Sequence, residues 1–117
     1  MFTTWILNEY TFKGSLVRAP LNINNVDMTV NANCLYGLNT FLMNFDNNVT
    51  DSIFDDELKQ LYLNVTNFVI YGIESGIILK RPDLALTYYP SKFNFYWFVS
   101  RNYNYLKNNL LTLKYQE

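Results

Sequence analysis

Between Asp27 and Phe45, the apolar residues Cys34, Leu35, Leu38, Phe41, Leu42 and Phe45 recur at three- and four-residue steps. That spacing gathers them on one side of a helix and does not match the alternation of a strand. Asn25 and Asp27 both suit the N-cap, where a short side-chain oxygen accepts from an unpaired first-turn amide. Asn44, Asp46, Asn47 and Asn48 are expected to stop the helix.

Two further stretches repeat the pattern. Asp51 or Ser52 is the expected cap of a second long helix, with Asp55, Asp56 and Glu57 in its first turn, where negative charge suits the helix dipole. Its apolar face is read as Phe54, Leu58, Leu61, Tyr62, Val65, Phe68, Val69, Gly72 and Ile73, with Asp55, Lys59, Gln60, Asn64 and Asn67 opposite and Gly76 closing it. A third helix is expected from Ser91 to Leu113, with Phe93, Tyr96, Val99, Tyr103, Leu106, Leu110 and Leu113 in register. Phe95, Trp97 and Phe98 fill its other sides, so its first turns read as buried from two directions. Thr4 to Phe12 is read as a short helix and Lys13 to Asn25 as loop. Ile77 to Pro90 is a connector marked by Pro82 and Pro90. Tyr36-Gly37-Leu38 and Tyr71-Gly72-Ile73 form a weak echo of a kind suited to helix-hairpin repeats.

The class is therefore all-α, in antiparallel helical hairpins. At 117 residues the chain suits a single helical domain spanning 1–117, able to bury roughly two-thirds of its unfolded surface. The net charge of -1 provides no basic stripe for counterion release, so no nucleic-acid partner is expected. Histidine is absent and Cys34 is the single cysteine. This removes Cys/His zinc sites, Cys-His and Ser-His catalytic pairs and any internal disulfide, and leaves Cys34 as a small buried hydrophobe. No metal site or cofactor is expected.

The 18% aromatic content and the abundance of asparagine fit an AT-rich coding bias. The sequons at Asn48 and Asn64 number about what chance supplies in such a chain. Met1 to Leu7 is broken by Asn8 and Glu9, so no signal peptide is read and no compartment is assigned. The best membrane-span candidate, Leu61 to Leu79, carries Asn64, Asn67 and Glu74 at helical spacing, and no span is expected.

Asn25-Val26-Asp27-Met28-Thr29-Val30-Asn31-Ala32-Asn33, followed by Leu35 and Leu38, resembles a helix start of the α/α-toroid superfamily that holds terpenoid cyclases and protein prenyltransferases. Tyr88-Tyr89-Pro90-Ser91, then Phe95, Tyr96 and Ser100-Arg101, is similar to a repeat-closing helix of such proteins. The resemblance implies a ring of helical hairpins around a cavity, of which this chain is a partial sector. In class II cyclases the corresponding start is Asp-X-Asp-Asp-Thr, whose middle acid protonates an alkene. Asp27 matches that acid and Thr29 the threonine, while Asn25 and Met28 replace the flanking acids. Asp27 is thus the candidate catalytic residue, and a cap or buried hydrogen-bonding residue on the alternative reading.

The resemblance also implies that Tyr88, Tyr89, Phe93, Tyr96 and Trp97 are cavity rings of the cation–π kind, with Tyr88, Tyr89, Tyr96 and Trp97 lining a site for an apolar, isoprenoid-like ligand; otherwise they are core. Arg101, if buried, needs a partner such as Asp83 or Asp27, and Lys80-Arg81-Pro82-Asp83 reads as an exposed turn with a local ion pair. Asp51, Asp55, Asp56 and Glu57 lack the glycine-turned loop of a calcium site and read as helix-start charge. Three functions remain open: a toroid sector without catalysis of its own, part of an enzyme acting on an isoprenoid or saccharide-like substrate, or a self-associating helical module. In the last two, missing hairpins or a second copy pack on helix 91–113.

Overall fold

In a computed structural model of the chain, the residues described are 1–2, 26–86 and 89–114, with side chains to 110 in the last segment. The readings of Thr4 to Phe12 and Lys13 to Asn25 lie outside them. The described residues form helices α1 (Met28–Asn44), α2 (Asn47–Ile53), α3 (Asp56–Glu74), α4 (Ile77–Lys80), α5 (Pro82–Ala85) and α6 (Lys92–Lys114), with no strand among them. The all-α class is therefore observed. No helix among the described residues is long and apolar enough to cross a membrane.

Aspartates start three of these helices. The Asp27 carboxylate accepts from the amides of Thr29 and Val30 at 2.8 and 3.0 Å, Asp46 from Val49 at 3.0 Å, and Asp55 from Leu58 at 2.8 Å. Each such cap contributes about 1 kcal/mol. Asp46 was expected to end a helix, and it also opens the next. Asp51 and Ser52 consequently fall inside α2, and the cap of α3 moves to Asp55, with Asp56 and Glu57 in the first turn. At the far end of α3, Gly76 adopts the left-handed conformation, φ 67°, which a side chain would resist. The chain then makes the two short helices of the connector, α5 opening on Pro82.

Helix α1 lies between its neighbours. Met28 sits at Gly72 and Phe95, and Asn39 bonds both Tyr62 and Asn102. Matching the early residues of α1 to the late ones of α3 makes that pair antiparallel, whereas α1 and α6 run in the same sense. The buried apolar core gathers Met28, Ala32 and Leu35 from α1, Val65 and Val69 from α3, Ile78, Ala85 and Leu86 from the connector, and Phe95 from α6. Phe95 and Val65 are wholly enclosed, and a fully buried side chain of this kind contributes about 1.5–3 kcal/mol. A Cβ on Gly72 would lie 2.7 Å from Met28 Sδ and 3.3 Å from Phe95 Cζ, so the absent side chain gives these two their room.

The Gly37 and Gly72 echo is not structural. Gly37 is exposed, with nothing near its missing Cβ, whereas Gly72 is buried at the helix contact.

The buried faces differ from the apolar readings. On α6 the enclosed residues are Phe95 and Asn102, with Tyr96, Phe98, Val99, Tyr105, Leu106 and Asn109 half-buried, so the inward reading holds in part for Tyr96, Val99 and Leu106. Phe93, Tyr103 and Leu110, all expected inward, are 73%, 62% and 58% exposed. Asn102 belongs to the inward stripe and conceals it from a hydrophobicity count. Similarly, the tightest face of α1 is Met28, Ala32, Leu35 and Asn39, while Phe45 points out. On α3 the expectation holds for Val65, Val69 and Gly72, and Asn64 faces outward as read, but Ile73 is exposed.

Candidate functional site

Asp27 is completely enclosed at the start of α1, its Oδ1 accepting two main-chain amides as the N-cap. Thr29 is equally buried, and its Oγ1 finds no hydrogen-bond partner among the described residues. One turn on, Asn31 is also wholly buried. Its Nδ2 donates to the carbonyls of Asp27 and Phe2 at 2.8 and 3.0 Å, and its Oδ1 accepts from the Phe2 amide at 2.8 Å. Asp27 Oδ1 and the Asn31 amide are therefore both engaged with main-chain groups at the start of α1.

A second polar set joins the three long helices. The Tyr62 hydroxyl donates to Asn39 Oδ1 at 2.7 Å, Asn39 Nδ2 donates to Asn102 Oδ1 at 2.9 Å, and Asn102 Nδ2 donates to the carbonyls of Ala32 and Phe98 at 2.7 and 3.1 Å. Each amide is used as both donor and acceptor, which is what makes its burial tolerable. Burial pushes the Tyr62 phenol above its usual range. It likewise raises the half-buried Cys34 thiol, which favours the unreactive protonated form.

Of the candidate ligand-binding aromatics, two of the described ones share a neighbour and the third has another. Tyr88 lies outside the described residues. Tyr89 and Trp97 both meet Phe98 edge-on, at centroid distances of 6.2 and 4.9 Å. Tyr96 instead meets Phe95 at 5.5 Å. Tyr89 is 41% and Trp97 59% exposed.

Arg101 does not meet the condition under which it would need a buried partner. It is exposed, and neither Asp27 nor Asp83 is its partner: Asp27 caps α1, and Asp83 pairs with Arg81 at 2.7 Å. That exposed pair holds the Asp83 carboxyl below its ordinary range through the Arg81 hydrogen bond. The Arg101 guanidinium instead lies 3.8 Å from the Tyr36 ring centroid and 5.5 Å from that of Trp97. Two aromatic faces can hold a cation in place of a carboxylate. Tyr36 in turn meets Tyr105 edge-on at 5.3 Å, and Tyr105 Oη accepts from Asn44 at 2.8 Å.

No family model matches this chain, nor does any curated protein or solved structure.

The assembled feature is thus a stripe along the outer side of α6. Phe93, Trp97 and Arg101 stand at successive four-residue steps, flanked by Tyr36 of α1. Helix α6 carries Lys92, Arg101, Lys107 and Lys114 and no acid. Among the described residues Arg101 makes no ion pair. The individual aromatics are legible in the sequence, but the stripe is not, because Phe93 also falls in register with the inward apolar positions and the Tyr36 contact with Arg101 crosses between helices. The four-residue spacing from Phe93 through Trp97 to Arg101 was the available signal.

Proposed function

We propose that this chain is a helical interaction module whose outer α6 stripe, Phe93, Trp97 and Arg101 with Tyr36 beside it, receives an amphipathic partner helix bearing carboxylates. The observation that carries this reading is the Arg101 guanidinium, held between two rings, exposed, and without an acid among the described residues. Trp, Tyr and Arg are the residues that most often anchor protein interfaces, and a stacked guanidinium loses little freedom when a carboxylate arrives. The absence of acids from α6 argues against two α6 helices pairing face to face, since like charges would meet. Asp27 is structural in this reading, and no reaction is assigned.

The test is titration of a synthetic, tryptophan-free acidic amphipathic helical peptide, with Trp97 fluorescence in a Trp5→Phe background as the readout. Saturable binding is expected, weakening as salt rises. R101E should reduce affinity by at least about tenfold while leaving the helical circular dichroism unchanged. Absence of saturable binding, or equal affinity in R101E, overturns the reading.

A second reading is a sector of an α/α toroid. It is supported by apolar side chains exposed on the outer sides of two helices, Leu63, Ile70 and Ile73 on α3 and Phe93, Trp97 and Leu110 on α6. A repeat array needs flanks of this kind on both sides of an internal unit. It predicts that the isolated chain aggregates and binds hydrophobic dye. A monodisperse, cooperatively unfolding monomer in light scattering counts against it.

A further inference from the structure

The Asn31 amide is engaged in an unusual way. Both of its ends meet one residue distant in sequence, its oxygen taking the Phe2 N–H at 2.8 Å and its nitrogen donating to the Phe2 C=O at 3.0 Å. This is the pattern by which a neighbouring strand satisfies an extended residue. The bond from Asn31 Nδ2 to the Asp27 carbonyl at 2.8 Å fixes the orientation of the amide plane. The side chain is fully enclosed, and the Phe2 ring packs against the hydrophobic core. The hydrogen bonds read main-chain atoms alone, and the only side-chain requirement is a ring to fill the space beside them.

We infer that the first turn of α1 is a binding site for an extended peptide carrying an aromatic residue, with Asn31 as the residue that reads its backbone, and that Met1-Phe2 is the occupant the chain supplies from itself. An extended aromatic segment from another molecule competes for the same place. This inference does not depend on the α6 stripe.

The probe is a fluorescein-labelled synthetic peptide of residues 1–6, Met-Phe-Thr-Thr-Trp-Ile, followed by polarisation with the full-length protein. The wild-type chain should bind it weakly, because its own segment competes at high effective concentration. Phe2→Ala should bind at least about tenfold more tightly, and the added N31A change should remove that gain. A peptide methylated on the Phe amide nitrogen cannot donate to Asn31 Oδ1. Its affinity for the Phe2→Ala and wild-type chains should fall by at least about tenfold, a result that does not depend on the folding of any Asn31 variant. Equal binding of the methylated peptide, or no binding of the unmethylated peptide to either chain, overturns the inference. Light scattering on the wild type identifies the natural source of the occupant: a dimer abolished by Phe2→Ala means a second copy's segment, and a monomer means the chain's own.

Discussion

The middle of α1 and the outer side of α6 invert the usual arrangement in opposite ways. Around Asn39, two buried asparagines and a half-buried tyrosine from three helices are hydrogen-bonded to one another or to carbonyls. Along α6, Phe93 and Trp97 stand in solvent. The first inversion is tolerated because Asn39, Asn102 and Tyr62 each have a hydrogen-bond partner there. The second costs the isolated molecule hydrophobic stabilisation it could have had, and such surfaces mark contacts with other molecules. Hydrophobicity alone therefore locates neither the seam nor the surface of this molecule.

The strongest challenge to that contrast is Asn102→Leu. It leaves Asn39 Nδ2 without its acceptor inside the core, and denaturant unfolding should show a loss of about 2–3 kcal/mol. Replacing Asn39 and Asn102 by Leu and Tyr62 by Phe together should cost much less than the sum of the three single changes, because no orphaned group remains. Additive losses would mean that the three side chains act independently.

On the outer face, Phe93→Ser should alter stability by no more than about 0.5 kcal/mol, since the ring is 73% exposed. A large loss in the same unfolding measurement would place Phe93 in the core after all.

The seam also has a pH signature. The folded state raises the Tyr62 phenol, so the associated stability is fully present below the unfolded phenol range of about 10. It declines as pH rises through the folded value. Thermal melts across that interval should show the decline in wild type and less of it in Tyr62→Phe.

The smallest effect belongs to the exposed Arg81 and Asp83 pair. Its contribution is present above the ordinary carboxylate range and fades as pH falls through the lowered Asp83 value. Asp83→Asn should leave the neutral-pH melting midpoint indistinguishable from wild type.

The long helices and two of their boundaries were legible from spacing and caps. Asp27 stands where the sequence placed it, and Gly76 follows the end of α3 as expected. Which side of each helix faces inward was less legible. Asn39 and Asn102 belong to buried stripes, so counting apolar residues rotated α6 toward Phe93, Tyr103 and Leu110. Asparagine, read as a compositional excess, carries the specific bonds of both enclosed polar sets. The stop before Asp46 is where the sequence places it; the cap expected at Asp51 or Ser52 is not, because Asp46 also starts the short α2, which takes in both residues and leaves Asp55 to cap α3. For Arg101 the sequence sets only a condition, a partner if it is buried, and its exposure removes that condition. Trp97 lies one turn away on the same helix, but Tyr36 reaches Arg101 from α1, and a linear pattern does not report that proximity.

The asparagine at the centre of α1 has a mechanical consequence. One turn of an α-helix is about 5.4 Å, and sliding α1 by that distance would carry Asn39 away from Tyr62 on one side and Asn102 on the other in a single motion. Neither flanking helix can shear past the central one alone without breaking the shared link. The trio is keyed to one axial alignment, as a pin keys a shaft between two collars.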